Sequence, residues 1–142
     1  MGYATKGDIL DQLPERELID LTDDAGAGTV DDTVVDRAIA DAGAVIDAYC
    51  QGRYPVPLSP VAAIIRTLAV DLAIYNLYGR RTVAPVPDVR KERHKDAMRF
   101  LDLVTQGKIK LGADEPAPVS SGNSIAVVAP DRVFTRETLK DF

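Results

Sequence analysis

Two helical patterns separated by a proline-rich crossing lie between residues 22 and 79, and they constrain the fold more than any other part of the sequence. Across residues 35–49, apolar side chains recur at steps of three and four with charged ones between them, which predicts an amphipathic helix of about five turns. Across residues 64–77, apolar side chains cover most of the helical circumference, which predicts a central core helix. We therefore predict a mainly α protein organised around these two helices.

The crossing between the two helices is expected to be extended, because Pro55, Pro57 and Pro60 lack a helical N–H and restrict the residues before them. Gly52 ends the first helix, and Ser59 is expected to cap a second helix that opens at Pro60. The tyrosines near the end of the second helix are expected to place rings in the core and hydroxyls at its border. We predict these structural anchors in and beside the crossing: Tyr49, Arg53, Tyr54, Pro55, Pro57, Tyr75 and Tyr78.

Two short helices are predicted ahead of this pair. Thr5 and Asp8 have the spacing of a capping box, in which each side chain accepts a backbone N–H from the other residue. Pro14 is expected to open the second short helix, because its missing N–H would be unpaired there anyway. Asp31 or Asp32 then caps the long amphipathic helix.

A last long helix is predicted from a cap at Asp88 to about Gln106, and Gly107 follows as a stop signal. The fold is thus a compact bundle of about four to five helices. The residues that this last helix is expected to bury are Val89, Ala97, Met98, Leu101 and Val104.

The remainder of the chain is expected to be less compact. Residues 108–111 alternate like a short strand, and residues 125–129 are its expected partner in a hairpin. Residues 112–124 are rich in Ala, Pro, Ser, Gly and Asn, which is typical of a flexible linker. We predict a helical core over residues 1–111, this linker, and a strand with an extended docking arm over residues 125–142.

The arm carries apolar side chains that a disordered polar tail would not need. We expect it to dock on a neighbouring subunit, and folding back on its own core is the open alternative. The arm residues assigned to this partner interface are Arg132, Val133, Phe134, Leu139 and Phe142.

An acidic, glycine-containing loop from Asp23 to Val34 raises the alternative of a calcium-responsive binding module. Counted from Asp23, Gly28 stands at the sixth position, where an EF-hand loop has glycine. Ala25 and Ala27 supply no oxygen at the third and fifth positions, and Val34 replaces the bidentate glutamate of the twelfth. A glycine turn with acidic helix caps is therefore the favoured interpretation, and no metal site is predicted.

A basic run in the first half of the last helix raises a second alternative, a nucleic-acid-binding helical protein. The run has no interleaved aromatic residues and no recognisable reading motif, and the chain is acidic overall. A solvated or protein-facing surface is favoured, and Arg90, Lys91 and Arg93 are assigned to the partner interface. The basic run consists of Arg90, Lys91, Arg93, His94 and Lys95.

The net charge of −5 divides unevenly along the chain. Residues 1–50 contain twelve acids and three bases (−9), and residues 51–142 contain ten acids and fourteen bases (+4), which together give −5. Such a division suits a head-to-tail contact, in which the acidic part of one subunit meets the basic part of the next and a ring can close. No apolar run is long enough for a membrane span, and no secretory signal is visible.

The groups that catalysis needs are scarce. The single histidine, His94, stands among cations that disfavour its accepting a proton. The single cysteine, Cys50, lies on the apolar side of its helix and is expected to be a small buried hydrophobe. No phosphate-binding, dinucleotide-binding, zinc-protease or nucleophile-elbow motif occurs. We predict a non-enzymatic protein without a cofactor.

Several motifs follow one another along nearly the whole chain. They are Tyr3-Ala4-Thr5, Leu21-Thr22-Asp23, Ala38-x-x-x-Ala42, Ile46-Asp47-x-Tyr49, Arg53-Tyr54-Pro55-Val56-Pro57-Leu58, Asp71-Leu72-Ala73-x-Tyr75-x-Leu77-Tyr78 and the closing residues 132–142. In this order and spacing they resemble the small neck protein family of Mu-like phages and prophages. The resemblance implies a helical head-tail connector that forms a ring of about twelve copies between portal and tail. It also implies that the protein contacts the portal and tail or other neck proteins, and that DNA only passes through the channel. The implied location is the virion neck, and the host bacterial cytoplasm before assembly.

Overall fold

A computed structural model describes residues 2–81 and 85–112, and this part of the chain is helical with no strand. The mainly α prediction is therefore confirmed for these residues. The helices are α1 (Lys6–Leu10), α2 (Glu15–Thr22), α3 (Asp32–Cys50), α4 (Ala63–Gly79) and α5 (Asp88–Thr105).

The core is built where α3, α4 and α5 meet. Helix α3 packs most extensively against α4, α5 packs on both, and the two short helices lie across α3 and α4. Ala42, Ala69 and Ala73 are fully buried, and such small side chains let neighbouring backbones approach closely. Cys50 is buried as predicted. The largest fully buried side chains are those of Ile9, Leu13, Leu18, Ile46, Ile65, Ile74, Leu77 and Leu101.

The predicted caps at the first and third helices are present. The Thr5 hydroxyl accepts from the Asp8 N–H (3.3 Å) and the Asp8 carboxylate accepts from the Thr5 N–H (2.8 Å), which is the capping box expected from their spacing. The Asp31 carboxylate accepts from the Thr33 N–H at 2.9 Å and so caps α3. Both caps satisfy amide groups that a helix leaves unpaired at its start.

The predicted start of the core helix at Pro60 is wrong, since α4 begins at Ala63. Leu58 and Ala62 both pack against the core, and this inward contact keeps the chain extended beyond Ser59. Ile64, which was expected in the core, is 41% exposed because it lies in the first turn of α4.

The start of the last helix also differs slightly from its prediction. Pro87 occupies the cap position, and Asp88 is the first helical residue. Val89, which was expected to be buried, is 63% exposed, since the first turn of α5 extends past the core. Ala97, Leu101 and Val104 are buried as predicted, and Met98 is partly buried against the core.

The predicted strand over residues 108–111 is wrong. Gly107 has a φ of +75° and ends α5 in a Schellman motif, with its N–H on the Val104 carbonyl and the Lys108 N–H on the Leu103 carbonyl, both at 3.0 Å. The Ile109 N–H also reaches the Leu103 carbonyl. These amides are therefore not available to a strand ladder. The expected partner, residues 125–129, lies outside the described residues.

Thr22 is the one buried polar side chain in the described core, and it joins the end of α2 to the start of α3. Its hydroxyl donates to the Leu18 carbonyl (2.8 Å) and accepts from the Asp31 N–H (3.2 Å). We expect Thr22→Val to lower the free energy of unfolding by about 1–2 kcal/mol, because the Asp31 N–H loses its acceptor. Urea denaturation measures this loss.

A matched control for this substitution is Thr67→Val. The Thr67 hydroxyl donates only within α4, to the Ala63 carbonyl at 3.2 Å, and the side chain is exposed. Its replacement is expected to change the free energy of unfolding by no more than about 0.5 kcal/mol. Equal losses at the two threonines would contradict the bridging role of Thr22.

Candidate interface surfaces

The glycine turn after α2 is organised by two adjacent carboxylates with different roles. The Asp23 carboxylate accepts from the Ala27 N–H (2.9 Å) and the Gly28 N–H (2.7 Å), and these bonds lower the pKa of its carboxyl group. Gly26 and Gly28 both have a φ of +72°, a conformation that glycine adopts without strain. The Asp23 carboxylate thus shapes the turn from within.

The Asp24 carboxylate binds two arginines from the end of α4. Arg80 and Arg81 both donate to it, and their guanidinium groups hold the pKa of the Asp24 carboxyl well below its usual range. Arg80 also donates to the Leu21 carbonyl (2.9 Å), and Arg81 to the Asp20 carbonyl (2.9 Å). The two arginines therefore cap the C-terminal carbonyls of α2 and fasten α2 to α4.

These contacts give no support to the calcium alternative. A calcium ion would have to displace the two backbone N–H donors from Asp23 and the two guanidinium groups from Asp24. Within residues 2–81 and 85–112, no group of three or more His, Cys, Asp or Glu side chains is placed to hold a metal ion.

Two arginines of the basic run on α5 contact other parts of the same chain. Arg90 donates to the Gln12 carbonyl at 2.9 Å, and Arg93 donates to the Gln12 side-chain oxygen at 2.8 Å. Arg93 also lies 3.5 Å from the Asp71 carboxylate, while Lys91 pairs with Asp88 on the same helix at 3.4 Å. The assignment of Arg90, Lys91 and Arg93 to a partner interface stays a prediction, although Arg90 and Arg93 also brace α5 against the connection between α1 and α2.

The nucleic-acid alternative rests on the same run and is weakened by these contacts. His94 stacks on the Tyr75 ring, with ring centroids 3.8 Å apart and an angle of 21° between the planes. Burial lowers the pKa of His94, so its imidazole is neutral at physiological pH. Lys95 is exposed. The run is therefore not a continuous row of free cations.

Asp71 belongs to one of the motifs of the family resemblance, but its burial and its pairing were not predicted from the sequence. Its side chain is only 10% exposed in the most apolar helix, and burial raises the pKa of its carboxyl, opposed by Arg93 and more weakly by Arg90. A lone acid inside an apolar helical pattern was the available signal. Arg90 and Arg93, which lie near Asp71, are about twenty residues further along the chain and on another helix. Their pairing with Asp71 therefore could not be predicted from the spacing of residues in the sequence.

The proline crossing is held by hydroxyl groups from distant parts of the chain. The Tyr3 hydroxyl donates to the Asp47 carboxylate and accepts from the Leu58 N–H at 2.8 Å. The Tyr54 hydroxyl accepts from the Leu111 N–H at 3.1 Å. These bonds tie both ends of the described chain to the crossing.

The predicted anchors occupy different environments. Tyr54 and Tyr78 are buried, and the Tyr78 hydroxyl donates to the Glu17 carboxylate on α2. The Tyr49 carbonyl accepts from the Thr105 hydroxyl at 2.9 Å. Pro55 and Pro57 are exposed, Tyr49, Arg53 and Tyr75 are partly buried, and the Arg53 guanidinium lies directly over the Gly107 backbone. Tyr3 belongs to the first motif of the family resemblance, but nothing in its local spacing indicated that its hydroxyl holds the crossing.

The ionisation of Tyr3 gives a prediction at alkaline pH. Burial and the hydrogen bond to Asp47 raise the pKa of Tyr3 to about 12, whereas an unfolded tyrosine ionises near 10. The folded state therefore keeps this proton longer, and its stabilising effect is full below about pH 10 and lost as the pH rises towards about 12. Tyr3→Phe is expected to cost about 1–2 kcal/mol at neutral pH.

Urea denaturation of the wild type and of Tyr3→Phe over a series of pH values tests this linkage. The difference in free energy of unfolding between the two proteins should become smaller as the pH rises above about 10, because ionised Tyr3 no longer favours the folded state. Thr67→Val is the matched control, because it removes a hydroxyl that does not titrate, and its difference from the wild type in free energy of unfolding should not depend on pH. If the difference in free energy of unfolding between the wild type and Tyr3→Phe stays constant at alkaline pH, the raised pKa of Tyr3 in the folded state is contradicted.

Part of the charge difference between the two halves of the sequence is neutralised by ion pairs within the subunit. Arg80 and Arg81 belong to the basic half and neutralise Asp24 of the acidic half. On α3, Asp32 pairs with Lys6 at 2.6 Å, whereas the carboxylates of Asp36 and Asp41 are exposed. The arm residues Arg132, Val133, Phe134, Leu139 and Phe142 lie outside the described residues.

The fold and these contacts are those of a small helical protein in which several charged side chains, such as Asp24, Arg80 and Arg81, hold its own helices together. None of the helices in the described ranges is long and apolar enough to cross a bilayer. The chain belongs to the phage family whose model, described as Bacteriophage Mu, Gp36, matches residues 3–129. The resemblance to a Mu-like phage family is thus confirmed.

Two relatives extend the match over almost the whole chain. The chain is 30% identical over 141 residues to the Mu-like prophage FluMu protein gp36 of Haemophilus influenzae, covering 99% of this chain and 97% of that protein. It is 29% identical over 140 residues to Gene product J of Escherichia phage Mu, covering 96% of each chain. These names describe phage and prophage proteins, and neither states an enzymatic activity.

Proposed function

We propose that this protein is a structural head-tail connector of a Mu-like phage, and that copies of it form a ring in the virion neck between portal and tail. The observation that carries the proposal is the match of residues 3–129 to the Mu family. The proposed role is non-enzymatic and needs no cofactor. The free chain occupies the host bacterial cytoplasm before assembly, its partners are the portal and tail or other neck proteins, and DNA only passes through the channel.

The described subunit has properties that suit a building block. Its helices are joined by contacts between distant residues, such as Arg80 with Asp24 and Tyr78 with Glu17. A subunit braced in this way keeps its shape when it is repeated around an axis. Asp36 on α3, and Lys95 and Arg99 on α5, are exposed charges that remain for contacts with neighbours.

Assembly is the mechanism in this proposal. Each contact between two subunits is too weak to hold a free dimer, and many contacts templated on one ring hold together because each bound copy raises the effective concentration of the next. The arm over residues 125–142 supplies an additional link to a neighbour, with Arg132, Val133, Phe134, Leu139 and Phe142 at the contact. Arg90, Lys91 and Arg93 complete the proposed interface on α5.

Fractionation of an induced lysate tests the proposed function. The chain is expressed with its neighbouring head genes, heads and complete particles are separated from free protein on a gradient, and each fraction is probed for the chain. We expect it in DNA-filled particles at a copy number of about twelve, as for a closed ring. The control is a lysate of a phage in which the gene for this chain carries a stop codon (the stop-codon lysate). This lysate should contain heads without attached tails.

Two results would overturn the proposal. The first is absence of the chain from every particle fraction while it accumulates as free protein. The second is a stop-codon lysate that yields the normal number of infectious particles, because a connector between head and tail cannot be dispensable.

A further inference from the structure

An apolar groove lies beside Gly112, the last of the described residues. It has a volume of about 190 Å³, and its lining includes Tyr54, Leu58, Val61, Ile65 and Leu111. Ile65 and Tyr54 are buried and belong to the core, whereas Val61 is 36% exposed. An opening with a core floor and an exposed apolar rim favours an apolar occupant.

The length and composition of the remaining chain indicate the occupant. Gly112 itself lines the groove, and thirty residues follow it, from 113 to 142. Two of the three phenylalanines of the protein, Phe134 and Phe142, fall within those residues. An aromatic ring buries more apolar area than any other side chain available there, and a buried aromatic anchor typically dominates the energy of a docked segment.

The linking residues can reach this groove. Twenty residues lie between Gly112 and Val133, and a flexible chain of this length has a mean end-to-end distance of roughly 25 Å. A segment held by a flexible tether of this length meets its own groove at an effective concentration in the roughly millimolar range. A second copy at micromolar concentration competes about a thousandfold less well.

We propose that in the free subunit this groove is occupied by residues 132–142 of the same chain, with Phe134 as the anchor. This docking goes beyond the connector function, because it concerns the subunit before any ring exists. A segment that fills its own groove is not available to a neighbour. Self-docking thus keeps free subunits monomeric until a particle presents several copies side by side, where a neighbouring groove reaches a comparable effective concentration.

A disulfide-trapping experiment on the full chain tests the proposal. Ser59 is exposed and lines the groove, and Thr135 follows the anchor, so the double variant Ser59→Cys with Thr135→Cys places a thiol on each side of the docked contact. The native Cys50 is buried, and burial raises the pKa of its thiol, so it reacts slowly. Under mild oxidation we expect a disulfide within one chain, seen as a faster-migrating monomer on non-reducing gels, at a rate independent of protein concentration.

The matched control adds Phe134→Ser to the same two cysteines. The tether length is then unchanged and only the anchor is lost, so the rate of disulfide formation should fall about tenfold. The protein with Cys50 alone controls for reaction at that residue. Thermal melting of every variant checks that the helical core is intact.

Two results would overturn the proposal. Equal rates with and without Phe134 would mean that the thiols meet only through chain motion and that the groove does not hold the anchor. A disulfide dimer whose yield rises with protein concentration would assign the groove to a second copy. Both results are measured on the purified subunit. A failure of self-docking is therefore distinguished from a failure of the connector function, which is measured as absence of the chain from particles.

Discussion

Removal of residues 130–142 is expected to leave a folded subunit that no longer enters particles. The helices and core of the described residues lie between residues 2 and 112, so the truncated chain keeps every core contact reported above. It loses the apolar side chains proposed to link one subunit to the next. Because ring assembly multiplies weak contacts, loss of one link per subunit should lower incorporation into particles by about a hundredfold or more.

The measurement is complementation of a stop-codon lysate with the truncated chain, followed by gradient fractionation. Circular dichroism of the purified truncated chain, with a cooperative melting curve, shows separately whether it is folded. A full-length chain with Phe134→Ser and Phe142→Ser should fail in the same way, and the conservative change Thr135→Ser should assemble normally. If the truncated chain is unfolded, residues 130–142 belong to the core and do not form a docking arm. If the truncated chain is incorporated normally, residues 130–142 have no role in assembly.

Local chemistry predicted the parts of this fold that depend on neighbouring residues. The capping box of Thr5 and Asp8, the Asp31 cap and the glycine stop at Gly107 all follow from groups within a few residues of one another. The periodicity of α3 likewise reflects which side of a single helix faces the core. Such features are encoded over one or two turns, so their prediction needs no knowledge of the remaining chain.

The incorrect predictions share a different origin. Ile64 and Val89 are exposed because they lie in the first turns of α4 and α5, and the start of α4 depends on the inward contact of Leu58. The amides of residues 108–111 looked available for a strand until the Leu103 carbonyl and the Tyr54 hydroxyl were placed beside them. In each case a tertiary contact overrides a local preference.

The interface surfaces were predictable to a still smaller degree. Periodicity placed Arg90 and Arg93 on one helix, but their contacts with Gln12 join residues that are 78 and 81 positions apart. The contact of Arg81 with Asp24 spans 57 positions. Sequence shows which charges exist, and only the packed structure shows which of them already have partners. Lys95, which is exposed, is therefore a further candidate for contacts between subunits beside Arg90, Lys91 and Arg93.

Leu77→Ala is expected to lower the free energy of unfolding by about 3 kcal/mol, within the range of about 2–5 kcal/mol found for buried leucines. Leu77 is fully buried in α4, one turn before the arginines that fasten this helix to α2. Its removal leaves a cavity that the surrounding side chains fill only in part. For a domain of ordinary stability this is a large fraction of the total, and urea denaturation measures it directly.

Ile64→Ala on the same helix is the control that separates sequence pattern from structure. The two side chains have similar volume and both fit the apolar pattern of α4, but Ile64 is 41% exposed and Leu77 is fully buried. The Ile64 variant should therefore lose no more than about 1 kcal/mol, because much of its apolar surface already faces water. Equal losses at the two positions would contradict the packing of α4, since they would require Ile64 to lie in the core as its periodicity alone suggests.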